Sequence, residues 1–152
     1  MFMALKSTWE QVVRPLILRP EAVQVAALCV RGRKKKQEVL MITSRGSGRW
    51  VVPKGWPIDG KTGAEAAVQE AWEEAGVLAE QVDEDPVGSF DYGKGQKDGT
   101  TQPVRVSVYR VRVDTLADDF PEAGQRERRW MLPEEAANLV AEPKLQDLLR
   151  AL

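Results

Sequence analysis

The fifteen residues from Thr62 to Gly76 restrict the fold more than any other stretch of the chain. Thr62 and Glu65 have the spacing of a capping box, in which the hydroxyl accepts an orphan N–H of the first turn and the carboxylate reaches back to the cap. Gly76 supplies a C-terminal stop. Between them Ala64, Ala67, Val68, Ala71 and Ala75 recur at helical spacing and form a narrow apolar stripe. Side chains this small let a helix lie close against a sheet, and strand-like runs flank the segment. Trp50 to Val52 is a brief apolar run that stops at Pro53, and Lys54 to Gly60 reads as an irregular loop leading into the helix.

The other elements are read in the same way. Ala22 to Val30 and Val39 to Thr43 are β-branched-rich runs on either side of a basic loop holding Arg31, Arg33, Lys34, Lys35 and Lys36, which fits two strands joined by a solvated tip. Val104, Val106 and Val108 alternate with polar residues, and Val111 and Val113 resume the alternation one residue out of phase. A long strand with a bulge near Tyr109 or Arg110 accounts for that slip. Tyr92 to Thr101 has three glycines and no apolar residue after Tyr92, so it is predicted to be a mobile loop. Pro133 to Ala141 and Lys144 to Leu152 are predicted to be two short helices separated by Pro143. Trp50 and Trp130 border strand-like runs and are assigned to the core. Trp72 is expected to cover the edge of the helix, and Trp56 is the tryptophan placed to meet a substrate.

Composition removes whole classes of chemistry. With 152 residues, 22 Lys+Arg against 23 Asp+Glu and a net charge of −1, the chain fits one soluble domain spanning residues 1–152, with no DNA-binding surface. No apolar run reaches the ~20 residues needed to cross a bilayer. Met1 to Glu10 has no basic segment followed by an apolar one, so a cytoplasmic location is expected. Cys29 is the only cysteine and lies in an apolar string, which argues for packing and excludes internal disulfides. Histidine is absent, so triad catalysis and histidine-ligated metals are excluded. Acid–base chemistry falls to carboxylates, lysine or tyrosine.

The carboxylates concentrate on the helix. Glu70, Glu73 and Glu74 stand at i, i+3 and i+4, within an arc of about 100° away from the alanine stripe. Gly63 to Ala75 contains four glutamates and no basic residue, so nothing local offsets their repulsion. A hard divalent cation would, since Mg²⁺ and Mn²⁺ take oxygen ligands from a few carboxylates, water and phosphate.

The whole stretch resembles the signature of the Nudix hydrolases, G-x5-E-x7-R-E-U-x-E-E-x-G-U, where U is a bulky aliphatic residue. Gly55, Glu70, Glu73, Glu74, Gly76 and Val77 fall on its positions without a gap across a 23-residue window, and Ala71 stands in for the aliphatic residue. Two positions depart. Lys61 stands where the first glutamate belongs, and Gln69 where the arginine belongs; a glutamine can hydrogen-bond to a carboxylate but cannot offset its charge. The lead-in Trp50-Val-Val-Pro-Lys54-Gly55 and the segment Arg126-Glu-Arg-Arg-Trp130 are similar to the branch containing diadenosine polyphosphate hydrolases and diphosphoinositol polyphosphate phosphohydrolases.

This resemblance implies an α/β (α+β) fold with a mixed sheet sandwiched between helices, and hydrolysis of a phosphoanhydride in a small-molecule substrate of the nucleoside diphosphate-X type. It implies Mg²⁺ as cofactor, with Mn²⁺ as the alternative ion, bound by Glu70, Glu73, Glu74 and Gly55. The catalytic candidates are Glu73, Glu74 and Glu127, any of which could activate water where no histidine exists. Lys54, Arg45 and Trp56 are the candidates for substrate contact. A homodimer is a compatible assembly. Two other functions fit the residues: a nucleotide-binding module of the same fold that does not cleave, and an acidic-helix interaction domain indifferent to metal.

Overall fold

The computed structural model describes residues 22–152; the reading of Met1 to Glu10 lies outside them. Among the described residues eight strands and three α-helices follow in the order β1 (Ala22–Arg31), β2 (Glu38–Thr43), β3 (Trp50–Val51), β4 (Lys54–Gly55), α1 (Gly63–Ala75), β5 (Val77–Val82), β6 (Gly88–Gly95), β7 (Thr101–Leu116), β8 (Arg128–Met131), α2 (Pro133–Leu139) and α3 (Pro143–Arg150). The sheet is mixed. Its spine runs β3-β2-β1-β7-β5, with β4 on β1, β6 on β7 and β8 on β2. β1 and β7 run parallel in unbroken register from Ala22↔Val104 to Val30↔Arg112.

Both faces of the sheet are covered. On one, Ala66, Ala67, Ala71 and Ala75 of α1 pack with Val25, Ala27, Cys29, Leu40, Ile42, Val111 and Val113. On the other, Ala136, Ala137, Leu145 and Leu149 of α2 and α3 pack with Ala26, Leu28, Val39, Met41, Val104, Val106 and Val108. The alanine stripe explains the close seating of α1. Ala66 is fully buried in it while Val68 sits at its margin, so the buried face is turned slightly from the expected one.

Burial on two sides also corrects the reading of β7. Val104, Val106 and Val108 enter one core and Val111 and Val113 the other, while the ladder to β1 continues through Tyr109 and Arg110 without interruption. The change of phase is a change of covered face, and no bulge lies there. The irregularities of β7 occur against β5, between Leu78 and Ala79 and between Ala79 and Gln81.

Two loop predictions are also corrected. Most of Tyr92 to Thr101 belongs to a hairpin, since β6 pairs residue by residue with β7 from Gly88↔Val108 to Gly95↔Thr101. Its outer half needs no apolar anchor because the β7 backbone is its template, and Phe90 and Tyr92 hold its inner half on the core. Within the irregular loop, Lys54–Gly55 forms a short strand against Ala26 and Val25. The two C-terminal helices form as expected, each with proline in its first turn, and Pro143 begins α3 instead of separating the pair. The basic loop is an exposed 3₁₀ turn at Lys34–Lys36. Among the described residues no helix is long and apolar enough to cross a membrane.

Candidate active site

The strand pattern around β1 creates the site. β1 and β2 pair at Val30↔Val39 and Arg31↔Glu38; farther along, β2 takes β3 as partner at Ile42 and Thr43 while β1 takes β4 at Val25 and Ala26. Lys54 and Gly55 thus stand at the open end of the fork, facing α1. The helix starts where its sequence dictates: Thr62 Oγ1 accepts the Glu65 N–H at 3.1 Å and Glu65 accepts the Thr62 N–H at 2.8 Å. It stops at Gly76 in the left-handed conformation, φ 68°.

A cleft of about 680 Å³ lies there, and Glu70, Glu73 and Glu74 all line it. Glu70 rests directly on Gly55, where a Cβ would collide with its carboxylate. Glu74 accepts the backbone N–H of Lys54 at 3.3 Å. Glu73 accepts from Gln69 Nε2 at 2.6 Å, so the glutamine at the signature's arginine position aims this carboxylate through a neutral hydrogen bond. Lys61, the other departure, is exposed and lines a separate shallow groove with Glu65 and Val68, outside the cleft.

The charge balance differs from the one-dimensional picture. Arg126, 10% exposed, reaches the helix from the segment before β8, with Nη2 3.7 Å from Glu74 and Nε 3.1 Å from Glu122. Its Nη1 donates to the Thr43 carbonyl at 3.1 Å. The repulsion on α1 is therefore offset in part, by one guanidinium shared with an additional carboxylate. Arg126, Glu122 and Tyr92 were not among the expected site residues because each comes from an element distant in sequence. Arg126 is delivered when residues 117–126 fold over the C-terminal end of α1, with the Ala117 N–H donating to Gly76 and the Glu122 N–H to Glu73.

Burial sets the protonation of these groups. Glu74 is pushed up to about 7, chiefly by desolvation, with Arg126 opposing and Glu70 adding to the rise. Desolvation, followed by the charge of Glu73, also raises Glu70. Lys54 is lowered by burial against the pull of Glu74, and its Nζ lies 4.9 Å from the centre of the Tyr92 ring.

The remaining candidates divide. Arg45 and Trp56 line the cleft, Trp56 at 45% exposure. Glu127 does not: its side chain is 64% exposed and faces Arg129 at 3.8 Å. Trp50 and Trp130 pack at the rims of the two cores, each under an arginine, Arg129 at 4.8 Å and Arg31 at 4.1 Å. Trp72 sits on the edge of α1, 6.5 Å from Phe120. Cys29 is buried and its thiol is pushed up to about 12 by desolvation, which removes it from chemistry.

Among the described residues no three acidic, histidine or cysteine side chains come together closely enough to hold a metal ion by themselves. The donors are nonetheless all oxygen, two of them part-buried carboxylates, with Glu73 and Glu122 against Arg126 around Glu70. That set suits Mg²⁺ or Mn²⁺, which keep several waters and need only one or two carboxylates beside substrate phosphates.

A family profile described as "NUDIX domain" matches residues 21–152. The chain belongs to the Nudix family. It is 36% identical over 107 residues to Nudix hydrolase 12, mitochondrial, of Arabidopsis thaliana, covering 68% of this chain and 52% of that protein. It is 29% identical over 119 residues to human diphosphoinositol polyphosphate phosphohydrolase 3-beta, covering 77% and 68%. The chain thus spans about half the length of the Arabidopsis relative. Among solved structures, the binary complex of Caenorhabditis elegans Ap4A hydrolase superposes with a TM-score of 0.59 at 22% identity, covering 85% of this chain and 93% of the other. The NUDIX domain of Shewanella oneidensis NrtR, complexed with ADP ribose, gives 0.61 at 11% identity, covering 94% and 93%. These two likenesses bear on the fold, a Nudix fold with its mixed sheet between helices.

Proposed function

We propose that the cleft hydrolyses a phosphoanhydride bond in a nucleoside diphosphate-X type substrate, in a reaction that needs Mg²⁺ or Mn²⁺. The substrate classes that fit are dinucleoside polyphosphates and diphosphoinositol polyphosphates, in keeping with the names of the human and nematode relatives. One observation carries the reading: Glu70 and Glu74 are partly to largely buried side by side and disfavour their charged forms, in a cleft that Arg45, Lys54, Lys94 and Arg126 also line. Buried carboxylates of that kind are stabilised by a divalent ion.

Glu70, Glu73 and Glu74 would hold the metal beside Gly55. When bound, the ion neutralises phosphate oxygens and makes water a better nucleophile at neutral pH. The chain's own residues do the rest. Lys54, Arg45 and Arg126 offer point and forked charges to the phosphate chain. Glu73, aimed by Gln69, or Glu74, which titrates near neutrality when free, takes the proton of the attacking water. Glu127, turned away beside Arg129, has no role in this scheme. Trp56 and Ile58 form an apolar lip able to cover the group attached to the phosphates.

The test is a turnover screen with Mg²⁺ and with Mn²⁺ across diadenosine polyphosphates, nucleoside triphosphates, sugar nucleotides and diphosphoinositol polyphosphates, with products identified. Turnover lost on chelation supports the proposal. Tight binding of these compounds without turnover would replace it with a non-cleaving nucleotide module.

A further inference from the structure

Gln24 is the one polar residue buried in the core among the described residues, 4% exposed, and it also lines the cleft. Its Oε1 accepts the Tyr92 hydroxyl at 2.7 Å. Its Nε2 donates no hydrogen bond within the described residues. A buried amide left with unmade hydrogen bonds costs about 1–3 kcal/mol, and Leu at this position of β1 would avoid that cost. The hydroxyl of Tyr92 occupies the oxygen end of the amide, which leaves the donor end for whatever enters the cleft.

A chain of contacts locates this donor relative to the carboxylates. Glu74 holds the Lys54 backbone N–H, the Lys54 ammonium lies over the Tyr92 ring, and the Tyr92 hydroxyl holds Gln24. Gln24 is therefore linked to Glu74 through three contacts, by way of Tyr92 and Lys54. Its own chemistry points to a neutral partner. The amide is neutral, and the charges of Glu142 and Glu74 both bear on Tyr92 beside it. Of the cations nearby, Lys54 lies over the Tyr92 ring, Arg49 is 4.0 Å from Glu142, and Lys94 lines the cleft two residues along β6 from Tyr92. A neutral acceptor matches the neutral amide without calling on any of them.

We propose that Gln24 is a substrate-recognition residue, presenting a buried, donor-only amide to a neutral acceptor, a base carbonyl, ring nitrogen or sugar oxygen, in the organic group that the phosphates carry. Tyr92 is its positioning residue, fixing which end of the amide faces the cleft. This rests on the phosphoanhydride reading and selects within it. A nucleoside offers such acceptors, whereas a diphosphoinositol polyphosphate presents phosphates around its ring, so nucleoside-linked anhydrides are the preferred class.

The experiment compares the full chain with Gln24→Leu and Tyr92→Phe, measuring KM and kcat with Mg²⁺ on diadenosine tetraphosphate and on a diphosphoinositol polyphosphate, and binding of a non-hydrolysable diadenosine tetraphosphate analogue. Gln24→Leu is expected to raise KM for the dinucleotide and weaken the analogue by about tenfold, the worth of one neutral hydrogen bond, with kcat within about twofold. Tyr92→Phe keeps the ring under Lys54 and removes only the hydroxyl; it is expected to give a smaller change in the same direction. Unchanged KM and analogue binding in folded Gln24→Leu overturns the proposal, as does a wild-type preference for the inositol substrate. Wild-type protein that binds the analogue in a Gln24-dependent way without turnover sustains the Gln24 assignment and defeats the hydrolase reading. Wild-type protein that neither binds nor turns over defeats both.

Discussion

Glu74→Gln in metal-free protein is the perturbation whose size follows most directly from the structure. The Glu74 side chain is 11% exposed, and burial moves its carboxyl from 4.5 to about 7 even with Arg126 3.7 Å away. Because folding raises this pKa, it favours the protonated form. The stability gained from that group is complete below about pH 4.5, and it is lost as pH rises through about 7. A rise of that size corresponds to roughly 3 kcal/mol. Glutamine has the shape of the protonated acid and no charge to bury. In EDTA the variant should match wild type near pH 4.5 and exceed it at pH 8.5 by up to about 3 kcal/mol. For a chain of this length that is several degrees in Tm, at about 2–4 °C per kcal/mol. Thermal and urea melts at both pH values are the assay. Saturating Mg²⁺ should then reverse the order at pH 8.5, because an ion bound only to the folded state adds RT ln(1 + [L]/Kd) and wild type binds it more tightly. A variant no more stable than wild type at pH 8.5, or a gain equal at both pH values, would refute the reasoning.

Other consequences are simpler. Gly55→Ala places a methyl against the Glu70 carboxylate, which must swing away; activity should fall at least tenfold while stability changes by about 1 kcal/mol, and the loss should not add to that of Glu70→Ala in a double-mutant cycle. Glu73→Gln should reduce kcat by at least a hundredfold, whereas Glu127→Gln, exposed beside Arg129, should stay within about twofold of wild type; the reverse ranking would move the base outside the helix. Cys29 should react with a thiol reagent only at the rate at which the protein unfolds, measured with and without denaturant.

What the sequence revealed and what it concealed divide along a physical line. The cap at Thr62, the stop at Gly76, the alanine stripe and the three carboxylates are local, set by spacing within one helix, and the structure has them where spacing puts them. Both valine runs of β7 were visible too, but their change of phase had two explanations. Only the presence of helices on both sides of the sheet selects a change of covered face over a bulge. The Gly88–Gly95 strand was missed because its pairing energy comes from β7 and not from its own residues. Arg126 and Glu122 were missed for a related reason. They join the site through a chain reversal after β7, and their sequence surroundings resemble any charged loop. The extra cation changes the physics without cancelling the local repulsion: at Glu70 the charges of Glu73 and Glu122 are opposed by Arg126.

The most direct measurement is a crystal of this protein grown with Mn²⁺, located by its anomalous scattering. The account predicts a peak beside Gly55 within coordinating distance of carboxylate oxygens from Glu70 and from Glu73 or Glu74. Density free of any ion there, with Glu74 still held by Arg126 and Glu70 still lying on Gly55, would contradict it.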